Sequence, residues 1–445
     1  MIKVITYGTY DLFHFGHQRL LERAKALGDY LIVGVTSDSF DLTRGKINAQ
    51  QSLMERIESV KATGLADEII VEEYEGQKID DIKRYGVDIF TVGSDWKGKF
   101  DYLNEFCRVV YLDRTEGVSS SELRAEKREL RLGLVGESSL LYKFERESHF
   151  VNGLRVTGVC AQNTIEFSDE INKLPFVTNS LEELFPICDA VYIVSHPSKH
   201  YEHAKAALLA GKHVLCESPI AISVKEYQEL KQLAYDKNLQ LVDSLKTAYS
   251  TAYNRMLLLV KSGVIGEVKS VDTICTSLSD LERKEGKPTP FTWNSICAWG
   301  PTAILPIFQL LGTQYVSKQI ASHLIEGDFD IFTKIAFVYP SAVASLKVGK
   351  GVKSEGELII SGTKGYIYVP APWWKTEYFE IRREDPTQNK RYFYQLDGEG
   401  IRYELVSFLK AIESGRNYLY ISDNVSEAVV KVIEDFFTKK DFVSI

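Results

Sequence analysis

The sequence predicts an α/β protein in three successive parts. These are a small doubly wound domain over residues 1–128, a second doubly wound domain over 129–248, and an α+β domain on an open sheet over 249–445. Three observations predict it. Apolar runs alternate with amphipathic stretches along most of the chain, the signature of βαβ units and mostly parallel sheets. The alternation pauses at a polar, charged stretch, Ser119–Glu129, and restarts at Leu130. Beyond about residue 250 the segments lengthen into alternating strands. At 445 residues the chain also exceeds what one ordinary core serves.

The elements follow in order. Residues 2–7 read as a strand, and 17–27 carry helical apolar spacing closed by Gly28. Tyr30–Thr36 is a strand, Gln51–Thr63 a helix, Glu68–Val71 a strand and Ile79–Tyr85 a helix; Ile89–Val92 and Arg108–Leu112 are two more strands. Ser119–Glu129 has helical spacing and no Gly/Ser- or Pro-rich tract, so a helix joins the domains. Strands at 130–135, 154–160, 190–194 and 213–216 form the second series, with a helix over Ser198–Leu209 capped by Gly211. Segments 267–277, 331–339, 343–349, 356–361 and 366–369 read as strands of a largely antiparallel sheet, and helices at 402–413 and 423–437 close the chain.

Composition is that of a globular protein, 44% hydrophobic and 26% charged. A formal charge of −8 argues against nucleic acid or an anionic membrane as partner. The six cysteines are far apart, with neither metal-ligand spacing nor a disulfide framework. No apolar stretch approaches the ~20 residues that span a bilayer, and the start reads as a first strand rather than a signal peptide. A cytoplasmic location is expected.

The strongest motif is Tyr7-Gly8-Thr9-Tyr10-Asp11-Leu12-Phe13-His14-Phe15-Gly16-His17. A strand ends at Tyr7, a loop carries Thr9 and Asp11, and a helix starts near Gly16. His14 and His17, three apart, can face one point above the helix N-terminus, where free N–H groups and the helix dipole gather. Gly16 lets a phosphate approach the backbone. Such a site suits nucleotidyl transfer, in which positioning and charge stabilisation supply most of the acceleration. Alone, the pattern is equally two ordinary histidines at a helix start. A second motif, Arg114-Thr115-Glu116-Gly117-Val118-Ser119-Ser120-Ser121, follows the strand Arg108–Leu112. It combines a basic residue, a glycine turn and hydroxyls at a helix start: a second phosphate cradle, or a capped turn.

Together these motifs, with Leu20-Leu21-Glu22-Arg23-Ala24-Lys25 and Gly93-Ser94-Asp95-Trp96-Lys97-Gly98-Lys99-Phe100-Asp101, resemble the glycerol-3-phosphate cytidylyltransferases of teichoic-acid and capsule synthesis. The likeness covers residues 1–125. It implies a Rossmann-like nucleotidyltransferase domain that joins CTP to a polyol phosphate, with Mg²⁺ accompanying the nucleotide, in a homodimer or higher homo-oligomer. It implies a catalytic set of His14, His17, Lys46 and Arg114. Thr9 and Ser119 would contact CTP phosphates, Arg56 would be a basic contact, and Asp11 and Asp95 would border the nucleotide. Gly8, Tyr10, Gly16, Thr115, Gly117 and Ser120 complete the nucleotide-binding motifs. Tyr10 stands where Phe is common, Ser120-Ser121 where threonines are usual, and Arg44-Gly45-Lys46 is less basic than the usual loop.

In the second half, Gly136 opens the first strand-to-helix turn, but Ser138 and Leu141 replace the second and third glycines of a dinucleotide fingerprint. The runs His196–His203, Gly211–Pro219 and Gly362–Tyr366 resemble the Gfo/Idh/MocA family of NAD(P)-dependent oxidoreductases over residues 130–445. That resemblance implies a Rossmann domain followed by an open sheet. Its Glu-Lys-Pro motif appears as Glu217-Ser218-Pro219, without the lysine, and Trp299–Pro306 holds no His or Asp for a proton relay. Gly136, Ser138, His196, Glu217 and Pro219 are thus candidate remnants of an NAD(P) site. Two readings stand for this half: an inactive module with a structural, oligomerising or regulatory role, which the losses favour, or a working reductase that makes the polyol phosphate. For the whole chain, the reading from a different class is a scaffold with a vestigial nucleotide site.

Overall fold

The computed structural model describes residues 1–37, 51, 53–74, 76–113, 129–138, 140–151, 153–161, 171, 173–278, 293–327, 329–394, 396–414 and 420–445. Lys46, Arg114, Thr115, Gly117, Ser119 and Ser120, and the helix expected over Ser119–Glu129 except its last residue, lie outside the described residues. The chain divides into two compact units: residues 1–129 with 150–153, and 130–149 with 154–445.

The first unit contains β1 (Lys3–Gly8), α1 (Phe15–Lys25), β2 (Tyr30–Thr36), α2 (Leu53–Ala62), β3 (Glu68–Glu72), α3 (Gln77–Tyr85), β4 (Ile89–Gly93) and β5 (Arg108–Leu112). Among the described residues the strands form one parallel sheet in the order β3-β2-β1-β4-β5. Successive side chains of a strand point to opposite faces, and β1 and β2 are apolar on both. Val4, Leu31, Val33 and Val35 pack with Leu21 and Ala24 of α1 on one side. Ile5, Tyr7 and Ile32 pack with Ile82 of α3, Phe90 and Phe100 on the other. Each fully buried Leu, Ile or Phe contributes about 1.5–3 kcal/mol. The two-sided burial sets β1 at the centre, so its C-terminal end opens where the strand order reverses, the usual ligand crevice of doubly wound sheets.

The second unit starts with β6 (Leu130–Val135), α4 (Leu140–Ser148), β7 (Leu154–Cys160), β8 (Val177–Thr178), α5 (Leu181–Leu184), β9 (Ala190–Ile193), α6 (Pro197–Leu209), β10 (His213–Glu217), α7 (Val224–Asp236) and β11 (Leu241–Ser244). Among the described residues its six strands pair in parallel in the order β11-β10-β9-β6-β7-β8. There follow α8 (Thr251–Lys261), β12 (Val268–Thr276), α9 (Ser295–Leu311), β13 (Ser317–Glu326), β14 (Phe329–Val338), β15 (Val343–Gly349), β16 (Leu358–Gly362), β17 (Gly365–Val369), β18 (Tyr378–Arg382), β19 (Lys390–Phe393), α10 (Ile401–Ser414), α11 (Asp423–Phe437) and β20 (Phe442–Ser444). These strands build a nine-stranded sheet, antiparallel except where β12 pairs with β15 and β13 with β20.

The protein is therefore mixed α/β, a doubly wound domain followed by a Rossmann domain and an open sheet, as the alternation of elements predicts. Differences are local. Helix α1 begins at Phe15, with His14 as its N-cap. Helices α4, α5, α7, α8 and α9 and strands β8, β11, β13, β18, β19 and β20 are additional to the expected set. Helix α9 contains Pro301 and Pro306 yet runs unbroken, because Asn294 caps its start and eleven of its residues are buried.

Candidate active site

The loop after β1 is built from beneath. A Cβ on Gly8 would lie 3.0 Å from the Tyr10 ring, so only glycine lets that ring fold back under the loop. Tyr10 (φ 54) and Leu12 (φ 46) both adopt left-handed backbone. That conformation costs a non-glycine residue about 1–2 kcal/mol and persists where surrounding packing imposes it. Tyr10 is 1% exposed, and its ring lies edge-on to His17 with centroids 5.5 Å apart. Asp11, also buried, accepts from the Gln51 N–H (3.0 Å), while the Gln51 side chain accepts from the Leu12 N–H (2.8 Å).

Arg56 is fully buried on α2. It donates to the carbonyls of Thr9 (2.7 Å), Thr36 (2.8 Å) and Gln51 (3.2 Å). Tyr10 and Arg56, expected as nucleotide contacts, lie under the loop, the ring in the core and the guanidinium donating to three carbonyls.

Above them His14 Nδ1 accepts from the Gly16 N–H at 3.0 Å, capping α1. A nitrogen that accepts carries no proton, so the neutral His14 ring bears its N–H on Nε2. The His14 and His17 rings stack, with centroids 4.0 Å apart and planes inclined at 23°. The first turn of α1 holds no acidic residue, which leaves the helix dipole uncompensated there. Arg23 of α1 donates to the Asp113 carbonyl (2.6 Å), tying the chain to this helix one residue before Arg114.

Beside Gly8 and Thr9 opens a pocket at the C-terminal ends of the strands, also lined by Tyr7, Thr36, Glu72, Lys78, Phe90 and Trp96. Lys78 and Glu72 form a buried ion pair, Thr36 Oγ1 donates to Glu72 (2.9 Å), and the Lys78 ammonium lies 4.7 Å from the Tyr7 ring centre. Tyr7 donates to Asp81 (2.8 Å), and burial first, then Asp81, pushes its phenol pKa upward. Sequence reading missed Thr36, Glu72 and Lys78, since nothing local joins residues on β2, β3 and α3. Gly8 and Thr9 line this pocket; His14 and His17 are not among its lining residues, and Asp95 is exposed in the turn Ser94–Trp96.

In the second unit, Gly136 has φ 130, and a Cβ there would meet the Val194–Ser195 backbone at 2.6 Å. The backbone just after β9 therefore requires glycine there. Ser138 Oγ accepts from the Leu140 N–H (3.2 Å), and Leu141 is buried in the core. His196 caps α6 by accepting from the Ser198 N–H, and the Pro219 carbonyl lies 2.8 Å from buried His200. Glu217 accepts from Tyr192 (2.9 Å). The Ser244 hydroxyl lies 3.3 Å from Glu217 and 3.1 Å from Glu404 of α10. Burial pushes Glu217 up to about 7 and Glu404 well above the usual carboxylate range.

Comparison with known proteins decides the family. Residues 5–126 match the sequence model of the cytidylyltransferase-like family. Glycerol-3-phosphate cytidylyltransferase of Bacillus spizizenii is 50% identical over 126 residues, 28% of this chain and 97% of that protein.

The chain belongs to the glycerol-3-phosphate cytidylyltransferase family through its first unit.

It is a nucleotidyltransferase, and the stacked histidines lie at a helix N-terminus, where backbone N–H groups gather. Residues 130–243 match the model of the oxidoreductase family with an NAD-binding Rossmann fold. KijD10, a 3-ketoreductase of Actinomadura kijaniata whose structure holds NADP, superposes with a TM-score of 0.61 at 16% identity, covering 71% of this chain and 99% of that one. That likeness shows the fold of the second unit.

The residues of that unit do not fit a dinucleotide at the fingerprint turn. Ser138 Oγ takes the Leu140 N–H, a donor at the turn, and Leu141, in the place of the third glycine, is buried. The buried Ser218 hydroxyl replaces the expected lysine.

Proposed function

We propose that the first unit joins CTP to glycerol 3-phosphate, forming CDP-glycerol and pyrophosphate, and that the second unit catalyses no hydride transfer. The observation that carries the first statement is the stacked pair His14 and His17 at the start of α1. A phosphate oxygen of glycerol 3-phosphate attacks the α-phosphorus of CTP. A new P–O bond forms as the bond to the bridging oxygen breaks, and the electron pair leaves with pyrophosphate. Charge builds on the α-phosphate oxygens. The His14 Nε2–H, His17 and the N–H groups of α1 donate to it, with no reorganisation needed at the moment of reaction. Arg56, Gln51 and Tyr10 hold the loop that aims these groups.

Magnesium, where the nucleotide brings it, supplies charge neutralisation on the phosphates. Among the described residues no three His, Cys, Asp or Glu side chains converge to hold an ion by themselves. Lys46, Arg114 and Ser119 complete the triphosphate site by family resemblance, and a homodimer is the expected assembly. The 50% identity to a relative of which 97% is covered supports glycerol 3-phosphate as acceptor and a role in polymer-precursor synthesis.

The test is the product. Incubation of the full chain with CTP and glycerol 3-phosphate should give CDP-glycerol by phosphorus NMR, with ATP a poor replacement. Transfer only to another polyol phosphate would overturn the acceptor assignment. Oxidation of NAD(P)H by the same chain would overturn the reading of the second unit.

A further inference from the structure

Inside the second unit three lysines from three separate elements converge on one carboxylate. Lys143 of α4 contacts both oxygens of Glu399 at 3.0 Å, Lys375 contacts Oε1 at 2.8 Å, and Lys246 contacts Oε2 at 2.6 Å. Lys143 and Lys375 share one oxygen, so their ammoniums lie within about 6 Å of each other. All four side chains are between 21% and 35% exposed, at the surface of a crevice rather than sealed in a core. Lys143 follows the first strand of the Rossmann sheet and Lys246 follows β11, so the cluster stands at the C-terminal edge of that sheet, where doubly wound domains take ligands.

One carboxylate answers one ammonium, which leaves the equivalent of two positive charges at close quarters. Their mutual repulsion is a cost that a purely structural ion pair would avoid. Burial, then the charges of Lys246 and Lys375, push the Lys143 pKa downward, as an under-compensated cluster should. Glu399 itself sits in left-handed backbone (φ 55) beside Gly398 (φ 59), a turn that costs energy to hold and presents the carboxylate to the three lysines.

We propose that Lys143, Lys246 and Lys375 form a binding site for the phosphate group of a small phosphorylated molecule, whose oxygens take the place of the Glu399 carboxylate. A phosphate dianion offers three terminal oxygens to three ammoniums and matches the surplus charge, which a carboxylate cannot. The site is independent of the chemistry assigned to the first unit.

Calorimetric titration of the full chain with inorganic phosphate, pyrophosphate and glycerol 3-phosphate tests it. Glu399→Gln should reveal a phosphate site or tighten it by about tenfold or more, since it removes the competing anion. Lys375→Met should abolish that site, Lys375→Arg should retain it, and the rate of pyrophosphate release from CTP should stay unchanged in both. Binding that Lys375→Met removes and that is tighter for glycerol 3-phosphate than for inorganic phosphate supports the site and marks the ligand as an organic phosphate. Equal affinity supports it and marks a free anion. Identical titrations for the parent, Glu399→Gln and Lys375→Met with all three probes would overturn the proposal. So would loss of the site in Lys375→Arg, since charge would then not be what binds.

Discussion

His14 does two jobs that substitution can separate. Its Nδ1 caps α1 by accepting from Gly16, and its Nε2–H is left to meet a phosphate oxygen. His14→Asn keeps a capping acceptor, so its melting temperature should match the parent's while turnover falls by about 10²–10³, the usual cost of one transition-state donor. His14→Ala should show the same kinetic loss and a further fall in stability of about 1 kcal/mol, measured by urea unfolding. Equal stability of the two variants would remove the cap from the account. Arg56→Ala should behave differently again, since it strands buried carbonyls of Thr9, Thr36 and Gln51 at about 1–3 kcal/mol each. Its loss should appear first as unfolding at lower denaturant. At this scale the histidines were legible in sequence, because their effect depends only on three-residue spacing and a helix start. The burial of Arg56 and Tyr10 was not legible. It arises from how α2 and the loop pack against β1, which no local pattern encodes.

The elements of the parallel sheets were legible because two-sided burial writes itself as short, continuous apolar runs such as Tyr30–Thr36 and Leu130–Val135. Helix α9 was not, because Pro301 and Pro306 argue locally for a break; tertiary burial and the Asn294 cap outweigh the lost hydrogen bonds. Interelement contacts also set the pH behaviour. Glu217 on β10 is pushed up to about 7 by burial, above its ordinary 4.5. A carboxyl raised in the folded state adds stability that is fully present below about pH 4.5 and is lost as pH rises through 7. Asp243 on β11, raised by burial to about 6, acts in the same direction. The second unit should therefore melt at a lower temperature at pH 8 than at pH 5. Glu217→Gln should reduce that difference in a calorimetric pH series, and an undiminished difference would exclude Glu217 as its source.

The whole molecule joins a family nucleotidyltransferase unit to an oxidoreductase fold whose first strand-to-helix turn carries Ser138 and Leu141 in place of two fingerprint glycines. A ligand at 100 times its Kd stabilises by about 2.7 kcal/mol, several degrees for a unit of this size. NADH or NADPH at millimolar concentration should shift the second unit's melting by less than about 1 °C. A shift of several degrees would restore a working cofactor site despite Ser138 and Leu141. The central claim rests on His14 and His17, and the most direct measurement is the rate of pyrophosphate release from CTP and glycerol 3-phosphate by the full chain and by His17→Ala. The account predicts turnover by the parent and a loss of about 10² or more in His17→Ala, with its melting temperature within a few degrees of the parent's. Parental turnover in a folded His17→Ala chain would contradict it.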